Sequence, residues 1–315
     1  MDKNSVILVT GASGMVGGAT LRLLRQRQFT NILTPSRAEL DLVSKDSVFS
    51  YFEHHRPEHV LMIGAKVGGI GANTADPVGF FHENLHIVLN LFSACDRYPT
   101  KKNLFLGSSC IYPRESPQPI REEFLLAGPL EPTNEGYALA KIVGLKMASY
   151  LFQQRGLKTI CLMPCNIYGT GDHFDFERSH VLSALVRRFV DARNSQAANV
   201  TLWGTGIACR EFIHVDDVAR AILFFMEVAG TPEHINVGSG VDISIRDLAT
   251  TISMKVGFQG QVLWDSSKPD GMLRKCLDVT RMRNFGFVPE VNLDEGITRL
   301  ISEYETLAEH SESIE

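Results

Sequence analysis

The chain has no apolar run long enough to cross a bilayer: its longest, 221–226, falls far short of the roughly 20 residues a span needs. A secretory signal pattern is also missing, because the apolar run 6–9 stops at a glycine-rich turn. Charge of one sign is lacking too. The 31 Lys+Arg against 36 Asp+Glu leave a formal net charge of −5, which excludes the basic surface of a nucleic-acid binder. Cysteine is sparse, with Cys95, Cys110, Cys161, Cys165, Cys209 and Cys276 showing neither C-x-x-C pairing nor the density of a disulfide scaffold. These absences predict a reduced, cytoplasmic protein with no structural metal, no membrane partner and no nucleic-acid partner. Repeats, low-complexity segments and Pro-rich linkers are absent as well.

What remains is an average globular composition, 44% hydrophobic and 21% charged over 315 residues, enough for about two domains. Short apolar runs at 6–9, 31–34, 60–63, 104–106 and 159–163 alternate with helical periodicities at 19–28, 45–53, 78–97 and 135–154, the last closed by Gly156. That alternation predicts an α/β fold, a doubly wound parallel (Rossmann) sheet with a smaller C-terminal substrate domain. The first domain is expected over 1–165, rejoined by about 211–238, where a helix at 215–228 and a strand at 234–237 restore the rhythm. The rest of 166–315 is expected to form the substrate domain. It holds a Gly/Asp/His loop at 169–175, a helix bearing Arg187 and Arg188, a strand and turn at 201–206, a turn at 268–271 and a helix that frays past Ser302.

The loop Gly11-Ala12-Ser13-Gly14-Met15-Val16-Gly17 follows a strand and opens a helix. Glycines there let the backbone approach a pyrophosphate, and the helix N-terminus supplies amide donors. At the end of the second strand the chain reads Pro35-Ser36-Arg37 with no carboxylate among the three. Ser36 and Arg37 are read as a 2′-phosphate site, hence NADP(H), with Asp41 and Leu42 covering the adenine. Tyr137 and Lys141 stand at i and i+4 on one helix face. A neighbouring ammonium favours phenolate, so Lys141 is expected to lower the Tyr137 phenol from about 10 and ready it to protonate a carbonyl oxygen. Ser108 directly follows the apolar run 104–106, at the carboxyl edge of a strand where ligands of parallel sheets bind.

Glycine loop, strand-end serine and Y-x-x-x-K together resemble the extended short-chain dehydrogenases/reductases that act on nucleotide sugars. Within that group, Ala65-Lys66-Val67-Gly68-Gly69-Ile70, Gly107-Ser108-Ser109-Cys110-Ile111-Tyr112-Pro113, Leu130-Glu131-Pro132-Thr133-Asn134-Glu135, Arg210-Glu211-Phe212-Ile213-His214-Val215-Asp216-Asp217 and Lys268-Pro269-Asp270-Gly271 are similar to the GDP-L-fucose synthase family. The resemblance implies 3,5-epimerisation followed by NADPH-dependent 4-reduction of GDP-4-keto-6-deoxy-D-mannose. It implies Cys110 as base and His180 as acid, His180 also bordering the cofactor, with Tyr137, Lys141 and Ser108 serving the reduction. Leu106, Gly107, Pro164, Cys165, Asn166 and Ile167 would line the nicotinamide pocket. Ser109, Cys110, Asn166, Arg188, Trp203, Arg210 and Asp270 would hold the GDP-sugar, and the helices at 78–97 and 135–154 would form a homodimer bundle.

The chain departs from the family's pattern in four places. Ala12-Ser13 replace a usual His-Arg whose Arg helps grip the 2′-phosphate, so Arg37 must carry that contact. The loop after Gly169 reads Thr170-Gly171-Asp172-His173-Phe174 in place of Pro-His-Asp-Asn-Phe; Cys165 replaces Thr, and Gly64 replaces Ala. The altered loop admits a second reading, a reductase or epimerase/reductase acting on another GDP-4-keto sugar such as a deoxyheptose. A 4,6-dehydratase or 4-epimerase is disfavoured by the lack of an acidic strand-end residue and by Ser109-Cys110-Ile111 where dehydratases carry Thr-Asp-Glu. A catalytically silent NADP-binding scaffold would have no need of the acid and base groups.

Overall fold

The computed structural model describes residues 1–175, 179–229, 234–268 and 270–312. The elements of the first half run β1 (Ile7–Val9), α1 (Met15–Gln26), β2 (Ile32–Leu33), α2 (Lys45–His55), β3 (His59–Met62), α3 (Ile70–Ala75), α4 (Pro77–Arg97), β4 (Lys102–Leu106), α5 (Glu135–Arg155) and β5 (Thr159–Pro164). The second half adds β6 (Asn166–Tyr168), α6 (Val181–Asn194), β7 (Asn199–Trp203), β8 (Cys209–His214), α7 (Val215–Glu227), β9 (Ile235–Val237), β10 (Asp242–Ser244), α8 (Ile245–Val256), β11 (Gln261–Asp265), β12 (Arg274–Lys275), α9 (Thr280–Asn284) and α10 (Leu293–Glu312). Among the described residues, no helix is long and apolar enough to cross a membrane.

Six parallel strands form the main sheet in the order β2-β1-β3-β4-β5-β9. The order reverses at β1, so a crevice opens at the carboxyl ends of β1 and β3, the place where open parallel sheets bind ligands. Local chemistry sets the helices. Asp76 accepts from the Gly79 N–H with Pro77 in the first turn of α4, Ser44 caps α2, and Gly156 takes the left-handed conformation that ends α5. The first helix differs from the sequence expectation of 19–28: it starts at Met15 and stops at Gln26. Gly17 and Gly18 therefore form its first turn, because the helix must begin where its backbone touches the loop.

Two large hydrophobic cores result, with a small third cluster of Ala19, Val215 and Ala219 between α1 and α7. The first surrounds the main sheet and includes Leu8, Leu61, Phe92, Leu104 and Ile160, together with Val218, Phe225 and Ile235 returning from α7 and β9. The second packs Tyr168, Phe189, Leu202, Leu248 and Ile297. Its β8 is a hub, pairing with β6 and β12 in parallel and β10 antiparallel, and β7 pairs with β11 alone. Gly204 and Gly206, both at φ +77°, make the turn after β7. Pro269, inside the expected 268–271 turn, lies outside the described residues, as do the last three of the acidic tail.

Candidate active site

The crevice at β1 and β3 is lined by backbone. Gly11, at φ +70°, leaves no room for a side chain, since a Cβ there would lie 2.7 Å from the Gly64 Cα. A Cβ on Gly17 would lie 2.0 Å from the Gly11 carbonyl oxygen. The Gly14 N–H donates to that same oxygen at 3.0 Å, and Thr10 Oγ1 accepts from the Ile63 and Gly64 amides, each at 3.1 Å. The N-terminus of α1 is thus held against the sheet with no side chain between, a cradle that fits a dinucleotide pyrophosphate. Ala12 packs on the core while Ser13 is exposed.

The end of β2 is organised differently. Ser36 donates from its backbone N–H at 2.8 Å and from its hydroxyl at 2.9 Å to the Glu39 carboxylate. A carboxylate therefore does sit beside Ser36, supplied by the turn three residues on, and these bonds hold Glu39 below the usual carboxylate range. Arg37 is exposed. Asp41 and Leu42 form the turn before α2: Asp41 Oδ1 accepts from the Val43 N–H at 3.1 Å, and the Leu42 carbonyl accepts from Asn90.

At the end of β4 the side chains converge. A Cβ on Gly107 would lie 2.2 Å from the Met163 sulfur, so glycine lets the chain turn there over β5. Ser108 caps a short 3-10 turn, Ser109–Ile111, with its Oγ accepting from the Cys110 N–H at 3.2 Å, and Ser109 is buried in that turn. The Ser108 hydroxyl also bonds the Tyr137 phenol and the Cys110 thiol. Lys141 is buried on α5, donates from Nζ to the Leu106 carbonyl at 2.7 Å and lies 5.6 Å from the Tyr137 ring centroid. Burial pushes the Lys141 ammonium down to about 8.

Tyr137 corrects the sequence expectation. Burial, with the Cys110 charge next, pushes its phenol above the usual range, only partly opposed by Ser108. The reason is geometric: Lys141 aims its ammonium at Leu106, so the enclosed phenol loses more solvation than the cation returns. The Cys110 thiol goes the other way. Burial raises it, but the Lys275 ammonium, 3.6 Å away, the Ser108 hydroxyl and the Asn134 amide, 3.1 Å away, outweigh burial and hold it below the usual thiol range. Neither Lys275 nor Asn134 was expected from sequence. Asn134 stands in the quoted 130–135 string, three residues before Tyr137, and Lys275 follows the 268–271 string on β12.

His180 caps α6 without a side-chain cap bond. Among the described residues it is not bonded to Cys110; its ionic partner is the buried Asp172, 3.6 Å from Nδ1. That carboxylate raises the imidazole above its usual range against the opposing effect of burial. Asp172 and Phe174 are the two residues that the altered 170–174 loop shares with the usual string.

The remaining predicted residues spread along the second core and its border. Asn166 Nδ2 donates to the Glu211 carbonyl at 2.8 Å, the Cys165 N–H to the Val237 carbonyl at 3.0 Å, and Ile167 pairs with Ile213, so Pro164 to Ile167 carry the chain from the main sheet to β8. Trp203 is 68% exposed at the end of β7, with Lys268 Nζ 5.8 Å from its ring, so it is no core aromatic. Asp270 accepts from the Thr205 N–H at 2.7 Å and hydroxyl at 2.8 Å, and Arg210 faces Asp270 and Glu131. Arg188 donates to the Thr201 carbonyl at 3.2 Å. Arg188, Trp203, Arg210 and Asp270 do not touch the Ser108–Tyr137 cluster among the described residues.

Residues 7–238 match the NAD dependent epimerase/dehydratase family. The chain belongs to this family. As a member it is 48% identical, over 96% of its own length and 93% of the other, to "Probable GDP-L-fucose synthase 1" of Oryza sativa subsp. japonica. Its fold is similar to a GDP-6-OMe-4-keto-L-xylo-heptose reductase from C. jejuni, with TM-score 0.91 and 31% identity over 98% and 99% of the two chains. It is similar also to a GDP-L-fucose synthetase from Naegleria fowleri bound to NADP, with TM-score 0.89 and 25% identity over 98% and 96%.

Proposed function

We propose that the chain epimerises C3 and C5 of GDP-4-keto-6-deoxy-D-mannose and reduces C4, giving GDP-L-fucose. The observation that carries this reading is the single cluster in which a reductive Ser108–Tyr137–Lys141 set shares Ser108 with a thiol lowered by Lys275. A simple reductase needs the first set only. The 48% identity to a relative named for this activity supports the same sugar.

A 4-keto group acidifies the hydrogens at C3 and C5, so one base and one acid on opposite faces suffice for each inversion. Cys110 is the base, its thiolate favoured by the Lys275 ammonium and the Asn134 amide. His180 is the acid, its cationic form favoured by the Asp172 carboxylate against the opposing effect of burial. NADPH, when bound, supplies the hydride to C4. Tyr137 then gives its proton to O4, a task suited to a phenol held protonated by burial, while Ser108 orients that oxygen. Lys141 fixes the end of β4 through Leu106 and would hold the ribose of a bound cofactor.

The Gly11–Gly17 cradle, with Met15 and Val16 in the first helical turn, fits the pyrophosphate, and Arg37 is the cation for the 2′-phosphate. We assign the first core to cofactor and the second to the GDP moiety, held by Arg188, Arg210, Trp203 and Asp270. Exposed Val78 and Leu89 on α4 and Leu139 and Tyr150 on α5 support a homodimer through these helices, and the six free thiols a cytoplasmic setting. The altered 170–173 loop and the fold likeness to a heptose reductase favour reduction of a GDP-4-keto-heptose as the second reading. Following NADPH absorbance with each keto sugar separates them: preference for the 6-deoxyhexose is expected, and turnover of the heptose alone would overturn it.

A further inference from the structure

We propose that Asp172 is the positioning residue for His180, its carboxylate holding the imidazole with Nδ1 turned inward so that Nε2 is the atom presented to the substrate. This rests on the reading of His180 as the acid.

The Asp172 side chain is 2% exposed, and both its oxygens are engaged. Oδ1 accepts from the His173 N–H at 2.8 Å and lies 3.6 Å from His180 Nδ1; Oδ2 accepts from the Ser183 hydroxyl. Ser183 is itself fully buried on α6, one turn beyond His180, which caps that helix. The Asp172 N–H donates to the Gly169 carbonyl at 3.1 Å. One carboxylate thus ties the 169–173 loop to the start of α6, taking the His173 backbone N–H and facing the His180 imidazole.

No Lys or Arg pairs with Asp172 among the described residues. Arg187, on the same helix, donates to the Phe174 carbonyl at 2.8 Å and reaches Asp191 at 3.3 Å. From α10, Glu303 takes the Gly171 N–H and Tyr304 packs on Phe174. A buried carboxylate without a cation is costly, and among the described residues His180 is in ionic contact with it. His180 Nδ1, for its part, is buried and has no hydrogen-bond partner. At 3.6 Å the two are in ionic contact and short of a formed hydrogen bond, so each gains most when the ring is protonated. With Nδ1 turned toward Asp172, the proton that leaves is the one on Nε2, and the ionic contact favours this ring orientation.

The test measures His180 directly and through the reaction. His180 is followed by its imidazole NMR signal through a pH titration, identified by the signal lost in His180→Gln. Separately, the full chain is incubated with GDP-4-keto-6-deoxy-D-mannose in deuterated water without NADPH, and exchange at C3 and C5 is timed across pH. Asp172→Asn keeps the size and removes the charge. It should lower the His180 midpoint and slow exchange by about tenfold or more. The basic limb of the exchange profile should move to lower pH by the same amount as the midpoint. Ser183→Ala keeps the charge but loosens it, should give a smaller shift in the same direction, and serves if Asp172→Asn fails to fold. An unchanged His180 midpoint in the folded variant would overturn the assignment. Exchange absent from the unaltered chain, with the midpoint still shifted, would instead count against the epimerase reading while leaving Asp172 as the partner of His180.

Discussion

The carboxyl end of β4 and the carboxyl end of β2 face the same crevice but are built on opposite plans. At β4, Lys141, Ser109 and Leu106 are buried, and the reacting groups come from four segments that lock one another. At β2, Ser36, Arg37 and Glu39 are exposed, and the Ser36 and Glu39 side chains bond each other within one turn. Charges enclosed by protein act strongly on each other, whereas exposed charges are screened by water. Under the proposed function, chemistry is fixed at β4 by preorganisation, and cofactor preference is set at β2 by weak, adjustable contacts.

The comparison is tested most severely by removing the reacting atoms at β4. Tyr137→Phe should lower hydride transfer by roughly 10²–10⁴-fold while C3 and C5 exchange persists; Cys110→Ser should do the reverse. Single-turnover NADPH oxidation and deuterium incorporation read the two steps, and equal loss of both in each variant would break the division of labour.

The next largest effect concerns Glu211, whose buried carboxylate accepts from the Gly240 N–H at 2.6 Å and the Leu277 N–H at 2.7 Å and so holds the strand that carries Lys275. Burial raises it to about 7 from an ordinary 4.5. Because the folded chain keeps this proton where the unfolded chain releases it, stability from this group is full below about 4.5 and falls as pH rises through about 7. The loss is ~3 kcal/mol. Denaturant titrations from pH 4.5 to 8 should show that slope in the unaltered chain and its loss in Glu211→Gln.

Gly17→Ala should cost about 1–3 kcal/mol through overpacking, since its Cβ would lie 2.0 Å from the Gly11 oxygen. The stabilisation that NADPH gives in a thermal unfolding assay should shrink with it. The smallest effect is expected at β2. Glu39→Gln releases an anion from Ser36 and should raise the NADPH-over-NADH preference by roughly two- to fivefold, read as the ratio of kcat/KM values; Arg37→Ala should lower it.

The same contrast decides what could be read from sequence. Strand and helix alternation in the first half follows from local periodicity, and the strands at 7–9, 59–62, 102–106 and 159–164 fall within a few residues of expectation. The second half depends on pairings between distant short segments. In that half, β8 binds three partners, β7 meets β11 across some sixty positions, and α8 was not expected at all. In the candidate site, Ser108, Tyr137 and Lys141 were picked out by their offsets from a strand or helix signal, and Cys110 by the family resemblance. Lys275 was not, for it lies 165 positions from the thiol it contacts. Nor was the direction of the Tyr137 shift, which is set by enclosure and by where Lys141 points; i,i+4 spacing reports neither. Glu39 escaped notice because a turn three residues long brings it back to Ser36.

The most direct measurement of the central claim is incubation with GDP-4-keto-6-deoxy-D-mannose and NADPH in deuterated water, followed by NMR of the product. GDP-L-fucose carrying deuterium at C3 and C5 is the predicted result. A reduced GDP-sugar with both configurations unchanged and no deuterium would contradict it.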